Sequence, residues 1–200
     1  KPTITWTVTD DDSGVNPSTI GITIDSGSKI TDGITKTAVT GGYNCSYIPA
    51  TALTDGSHTI RFDASDYDGN AASQKSVTFK IDTVPPTLSV TSPSDGYVTN
   101  KSTITVSGTT NDANSSPVTV TVNGASVTVG SNGAFSTTVT LSAGTNTINI
   151  VAKDSAGKTT TITRTVKYDP NPPKITAASV TPNPVDAGKT YVISVTVTDE

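Results

Sequence analysis

The chain has 200 residues, a formal net charge of −4, and a single Cys, His and Glu. With 40 Thr, 21 Val and 15 Ile against three Leu and no Met, it favours extended backbone and excludes a helical bundle or coiled coil. Its few basic residues are scattered, which excludes an electrostatic footprint for nucleic acid, and no apolar run reaches about 18 residues, the length of a membrane-spanning helix.

Period-two alternation begins at once. Ile4, Trp6 and Val8 take one face of a strand, and Thr3, Thr5, Thr7 and Thr9 the other. Ile20, Ile22 and Ile24 form the next inward set, and Tyr43, Cys45 and Tyr47 share a face further on. Ile60, Phe62 and Ala64 follow, then Val77, Phe79 and Ile81. A Pro pair at Asp82-Thr83-Val84-Pro85-Pro86 interrupts the pattern, because Pro cannot sit within a central strand. Alternation resumes with Leu88 and Val90, Ile104 and Val106, and Val118, Val120 and Val122. It continues through Val127 and Val129, Phe135, Val139 and Leu141, to Ile148, Ile150 and Ala152. Asp169-Pro170-Asn171-Pro172-Pro173 repeats the junction 87 residues after the first. Two more strands are predicted, from Ile175 to Val180 and from Tyr191 to Thr198. Arg164 shares parity with Ile162 and Val166, so it requires either a bulge or a stem lying along the core edge.

Alternation with one buried and one wet face is the pattern of antiparallel sheets packed in a sandwich. Asp55-Gly56, Asn123-Gly124 and Asn132-Gly133 supply the turn chemistry of tight hairpins. Short strands at this spacing give an all-β fold class of tandem immunoglobulin-like Greek-key β-sandwiches, with seven strands to a complete unit. The expected domains are 1–84, lacking its first strand; 85–170, complete; and 171–200, the first two strands of a third. A segment of a longer protein fits that phase. So does a subunit whose first unit borrows a strand from a neighbour.

The second unit carries Ser92-Pro93-Ser94-Asp95-Gly96, Asn132-Gly133-Ala134-Phe135, Leu141-Ser142-Ala143-Gly144-Thr145-Asn146 and Ala152-Lys153-Asp154-Ser155-Ala156-Gly157. On these it resembles the bacterial immunoglobulin-like domains repeated in surface proteins and appended to secreted glycosidases. The first unit is similar to another branch of that family, through Asp12-Ser13-Gly14-Val15-Asn16-Pro17, Tyr47-Ile48-Pro49 and Asp66-Tyr67-Asp68-Gly69-Asn70. The motifs are mostly turn chemistry, so the resemblance implies a fold and brings no catalytic centre.

The residues themselves point away from an enzyme. One His and one Cys, His58 and Cys45, fall on different strands, and nothing in their spacing builds a nucleophilic pair. Glu200 has no second Glu to work with. The Asp distribution says more. In this topology Asp10, Asp11 and Asp12 share a pole of the first unit with Asp66, Asp68 and Asn70. Crowded carboxylates favour a cation, and Ca²⁺ takes six to eight such oxygens, so Asp10, Asp12, Asp66, Asp68 and Asn70 form the candidate metal set. The alternative is a solvated acidic loop of Asx-turns. In the second unit Asp154 and Lys158 replace Asp66 and Asn70, and a metal at that junction would need Asp82, Asp112 and Asp154. Asp199 and Glu200 repeat the acidic end of the strand in the third.

These readings converge on a non-catalytic structural or spacer repeat of an extracellular surface protein, as in an adhesin stalk, surface layer or filament. Two alternatives stay open. One is a carbohydrate-binding accessory of a secreted glycosidase, with Tyr67 as the exposed ring. The other is a self-assembling filament subunit that uses strand complementation. The expected partners are neighbouring repeats or subunits of the same protein and a cell-surface or polysaccharide ligand.

Overall fold

The computed structural model describes residues 1–181, 183, 184 and 186–199, and contains sixteen strands and no helix among them. The chain divides into two compact units, Lys1–Val84 with Asp112–Ser116, and Pro85–Asn111 with Pro117–Glu200.

The first unit comprises β1 (Ile4–Thr9), β2 (Val15–Ile24), β3 (Thr35–Val39), β4 (Gly42–Tyr47), β5 (Gly56–Asp66) and β6 (Lys75–Ile81). They form two three-stranded sheets, ordered β1-β4-β3 and β2-β5-β6. The alternating residues place Ile4, Ile20, Ile22, Cys45 and Ile60 inside, while the Thr residues of β1 face water. The core falls into two clusters. Val15, Ile20, Cys45 and Ala64 form one, and Ile4, Ile22 and Ile60 the other. Trp6 packs against both and meets Phe62 at a ring separation of 5.3 Å. It is only half-buried, and its indole N–H finds no acceptor. Val77 departs from its inward parity and is 53% exposed. The reason is topological: β1 and β6 are both sheet edges, and no described strand covers either.

The second unit comprises β7 (Thr87–Ser92), β8 (Tyr97–Thr99), β9 (Thr103–Asn111), β10 (Thr119–Val122), β11 (Ala125–Val127), β12 (Ala134–Thr140), β13 (Gly144–Lys153) and β14 (Thr159–Tyr168). Its sheets run β12-β9-β7 and β11-β10-β13-β14-β8. Eight segments appear where seven strands are expected, because the first strand splits at Pro93, which has no N–H to extend a ladder. Before that point β7 pairs antiparallel with β9; after it β8 pairs parallel with β14. The β10–β11 hairpin turns on Asn123 and Gly124, both at positive φ, as a type I′ turn requires. One continuous core results, built on Val106, Val120, Phe135, Ile148, Ile150 and Val166.

Arg164 resolves without a bulge. The β13–β14 register is unbroken, and the guanidinium donates to the carbonyls of Pro93 (3.2 Å) and Val90 (3.3 Å). The charged head therefore satisfies backbone oxygens of the first strand and its Pro93 turn while the residue stays partly exposed.

β15 (Lys174–Thr181) and β16 (Val192–Thr198) form a separate two-stranded antiparallel sheet in which every residue is exposed. One detail repeats from β7–β9. There the register shifts between Val90 and Ser92, and the Thr91 hydroxyl donates to the Ser107 carbonyl at 3.1 Å. Here it shifts between Ile175 and Ala177, and the Thr176 hydroxyl donates to the Thr196 carbonyl at 3.3 Å.

Candidate functional site

The β1–β2 and β5–β6 loops meet at one pole of the first unit. The Tyr67 N–H donates to the Gly14 carbonyl at 3.1 Å and ties them together. Asp10, Asp66 and Asn70 line a small cavity of about 190 Å³ there. Asp12 and Asp68 point outward and are exposed. All three inner groups are already engaged with the chain. Asp10 accepts the Gly14 N–H at 2.6 Å. Asp66 accepts the Asn70 backbone N–H on one oxygen (2.7 Å) and its side-chain amide on the other (2.8 Å). The Asn70 side chain is the leading cause holding the Asp66 carboxyl below its ordinary range. Within this set of carboxylates, no three converge on a point that could hold an ion among the described residues.

The second unit reproduces the bonds this loop makes through its backbone N–H groups. Asp154 N–H donates to the Lys158 carbonyl, Gly157 N–H donates to the Asp154 carbonyl, and Lys158 N–H donates to the Asp154 carboxylate at 2.8 Å. In the first unit the same three bonds join Asp66, Gly69 and Asn70. Lys158 thus meets Asp154 through its backbone. The ion pairs among the described residues are His58–Asp25 and Lys167–Asp169. The lost Asn side chain has a consequence: the second Asp154 oxygen has no partner, although the residue is buried. Asp82 accepts the Val84 N–H, and Asp112 accepts the N–H groups of Asn114 and Ser115. Asp199 is exposed, and Glu200 lies outside the described residues.

A second charged group pairs His58 with Asp25, a partner that no motif in the sequence marks. His58 is 6% exposed and lies near the start of β5 opposite Phe79 of β6, whose ring lies 5.7 Å away. One ring nitrogen, Nδ1, lies 2.8 Å from the Asp25 carboxylate, and Nε2 lies 2.8 Å from the Thr54 carbonyl. Both neighbours are acceptors, so only the doubly protonated imidazolium satisfies both. Accordingly the Thr54 carbonyl, then Asp25, raises the His58 pKa above its ordinary value. Asp25 also accepts the Thr59 N–H at 2.8 Å, and its own pKa is lowered, first by His58 and then by Thr59. Asp25 adopts positive φ (54°) to make these bonds, a conformation tolerable for Asp. With both nitrogens engaged, His58 has no free base to offer. Cys45 lies in β4 of the other sheet, buried, and burial pushes its thiol pKa up. These two residues form no nucleophilic pair.

Among the aromatic rings, Tyr67 stands 64% exposed in the β5–β6 loop and Tyr97 46% exposed in β8. Tyr43 and Tyr47 pack against the core.

Comparison with known proteins agrees with this architecture. Residues 1–83 match the bacterial Ig-like domain family, and residues 86–169 match glucodextranase, domain B. Bacillopeptidase F of Bacillus subtilis (strain 168) is 33% identical over 129 residues, 64% of this chain and 8% of that protein's length. This chain therefore spans a small fraction of that relative. A three-domain immunoglobulin structure of titin covers 99% of the chain and is itself covered to 71%, with a TM-score of 0.51 and 11% identity, which speaks for the fold alone. The fibronectin(III)-like modules of Clostridium thermocellum CbhA cover 83% of the chain and are covered to 85%, at 18% identity and a TM-score of 0.44. The alternating strands, the two-layer sheets and the repeated Asp loop thus have one explanation: the chain is an all-β, immunoglobulin-like protein whose residues 1–83 are similar to the bacterial Ig-like domain family.

Proposed function

We propose that the chain is a spacer repeat of an extracellular bacterial protein, holding another part of that protein at a distance. The observation that carries this reading is the pairing of the ends of the second unit. Its first-strand segment β8 runs parallel to its last strand β14, with Tyr97, Val98 and Thr99 beside Val166, Lys167 and Tyr168. Tension applied along the chain pulls these strands in opposite directions. Their hydrogen bonds are then loaded together in shear, not one at a time. What recurs between the units supports the same reading. The Asp loop and the Thr-bonded register shift are turn and strand chemistry, repeated as architecture repeats.

Single-molecule pulling on the intact chain tests it. The second unit is expected to unfold at higher force than the first, which has no parallel end-strand pair among its described residues. Equal forces would remove the carrying observation. A second reading draws on the match of residues 86–169 to glucodextranase, domain B: an accessory module of a secreted glycosidase. Affinity electrophoresis against soluble glucans separates the two. Retardation abolished by Tyr67→Ala or Tyr97→Ala favours the accessory.

A further inference from the structure

The two units fasten the same loop by different chemistry. Leu53-Thr54-Asp55-Gly56-Ser57-His58-Thr59-Ile60 in the first unit matches Leu141-Ser142-Ala143-Gly144-Thr145-Asn146-Thr147-Ile148 in the second, and each Gly opens its strand, β5 or β13. In the second unit the Asn146 side-chain amide donates to the Ser142 carbonyl at 2.7 Å, and its oxygen accepts the Ser142 N–H at 2.9 Å. In the first, His58 stands at that position, with Nε2 2.8 Å from the Thr54 carbonyl. An amide holds the loop at every pH, because neither its donor nor its acceptor titrates. An imidazole holds a carbonyl only while the nitrogen facing it keeps its proton.

A second replacement sits beside the first. Asn123, after β10, and Asp25, after β2, do the same work at positive φ (49° and 54°). Each donates its N–H to the carbonyl of a residue on the neighbouring strand and accepts that residue's N–H on a side-chain oxygen. Asn123 does this with Asn149, three residues past Asn146. Asp25 does it with Thr59, next to His58, and its other oxygen reaches Nδ1 at 2.8 Å. Two amides of the second unit are thus replaced in the first by a carboxylate and an imidazole that meet. Of the charged side chains, Asp25 faces the ring from the turn after β2, and β6 presents the ring of Phe79. Asp55 follows Thr54 in the β4–β5 loop but is engaged elsewhere. Its two oxygens accept the Thr83 N–H (3.0 Å) and the Thr83 hydroxyl (2.9 Å), holding the second residue after β6. In the second unit both partners of that clasp are replaced, by Ala143 and Pro170.

We infer that His58 is a pH-sensitive latch: the imidazolium fastens the β4–β5 loop at Thr54 and, through Asp55, keeps Thr83 in place, and loss of its proton releases both. The proton that passes to solvent is the one on Nε2. Nδ1 faces a charged acceptor, and charge-assisted hydrogen bonds are the stronger ones, so the neutral ring keeps its remaining proton towards Asp25. Nε2 then turns a lone pair on the Thr54 carbonyl, and two acceptors cannot share a hydrogen bond.

Nuclear magnetic resonance on the intact chain from pH 5 to 9 tests the inference, and the single His makes the ring signals unambiguous. The expected result is loss of the Nε2 proton with a midpoint above about pH 6.5, the ordinary value. The backbone amide signals of Asp55 and Thr83 are expected to move with that same midpoint. Asp25→Asn is expected to bring the shared midpoint down. His58→Asn, which installs the residue of the second unit, is expected to hold Asp55 and Thr83 unchanged across the range, with Trp6 fluorescence showing that the first unit stays folded. Thr83 signals that stay fixed while the unaltered His58 titrates overturn the latch, and so does a Thr83 titration that survives His58→Asn. A proton lost from Nδ1 instead of Nε2 overturns release at Thr54.

Discussion

The two sandwich units place equivalent strands in equivalent sheets, yet they close differently. In the second, Val106, Val120, Phe135, Ile148, Ile150 and Val166 belong to one buried cluster, and β7 and β8 cover the gap between the sheet edges. In the first, the buried residues split into two smaller clusters bridged by a half-buried Trp6, and Val77 faces solvent. The difference traces to the strand beside β1 and β6. In a two-layer fold the side chains near an edge are covered by the neighbouring strand more than by the opposite sheet. One edge strand therefore decides whether two clusters merge.

The largest test of this comparison is truncation of a core ring in each unit. Phe135 is 3% exposed in the continuous core, and Phe135→Ala is expected to cost about 3–5 kcal/mol. Trp6 is only half-buried and lines an open groove of about 460 Å³ with Phe62 and Val77, so Trp6→Ala is expected to cost less than about 3 kcal/mol despite removing a larger ring. Denaturant unfolding followed by circular dichroism measures both. Equal losses would mean that the open edge does not weaken packing around Trp6.

Much of this was legible in the sequence, and for a stated reason. Period-two alternation is local, so Ile4, Ile22, Ile60, Ile150 and Val166 could be placed inward from neighbouring residues alone. How deeply each is buried is not local. Trp6 and Val77 share inward parity with their neighbours but depend on a strand that β1 and β6 lack among the described residues. The Asp66–Asn70 loop was visible as part of a pole crowded with side-chain oxygens. Its internal bonding was not, since Asn70 serves as a donor to Asp66 and occupies both oxygens. His58 and Asp25 were missed because they are 33 residues apart, and only the β2–β5 register brings them together.

That pair supplies the next test, a pH dependence confined to the first unit. The folded-state pKa of His58 is raised, so its contribution is complete below about pH 6.5 and is lost as pH rises through the folded value. Asp25 is lowered, so its contribution is present above its ordinary value near 3.8 and is lost as pH falls through the folded one. The first unit should be most stable between about pH 4 and 6.5 and weaken on the alkaline side. The second unit has no His, and Asp95, lowered chiefly by the Thr165 N–H, gives it an acid-side loss only. Unfolding midpoints followed by Trp6 fluorescence from pH 5 to 8 report the first unit alone. His58→Phe should flatten the alkaline slope. A slope that survives the substitution would assign it to another group.

The smallest effect lies in the repeated Thr bond. Thr91 and Thr176 make the same hydroxyl-to-carbonyl bond, each at a register shift in its strand, at 3.1 and 3.3 Å. Both hydroxyls are at exposed residues, where water competes, so each bond has a net worth near the low end of about 0.5–1.5 kcal/mol. Their settings differ in what depends on them. Loosening β7 uncovers a continuous core, because Leu88 and Val90 pack against it. Loosening β15 uncovers residues that are already in water. Thr91→Val should therefore lower the unfolding midpoint of the second unit. Thr176→Val should leave that midpoint unchanged and accelerate only amide exchange in β16. If the two substitutions shift the midpoint equally, then β15–β16 unfolds together with the second unit.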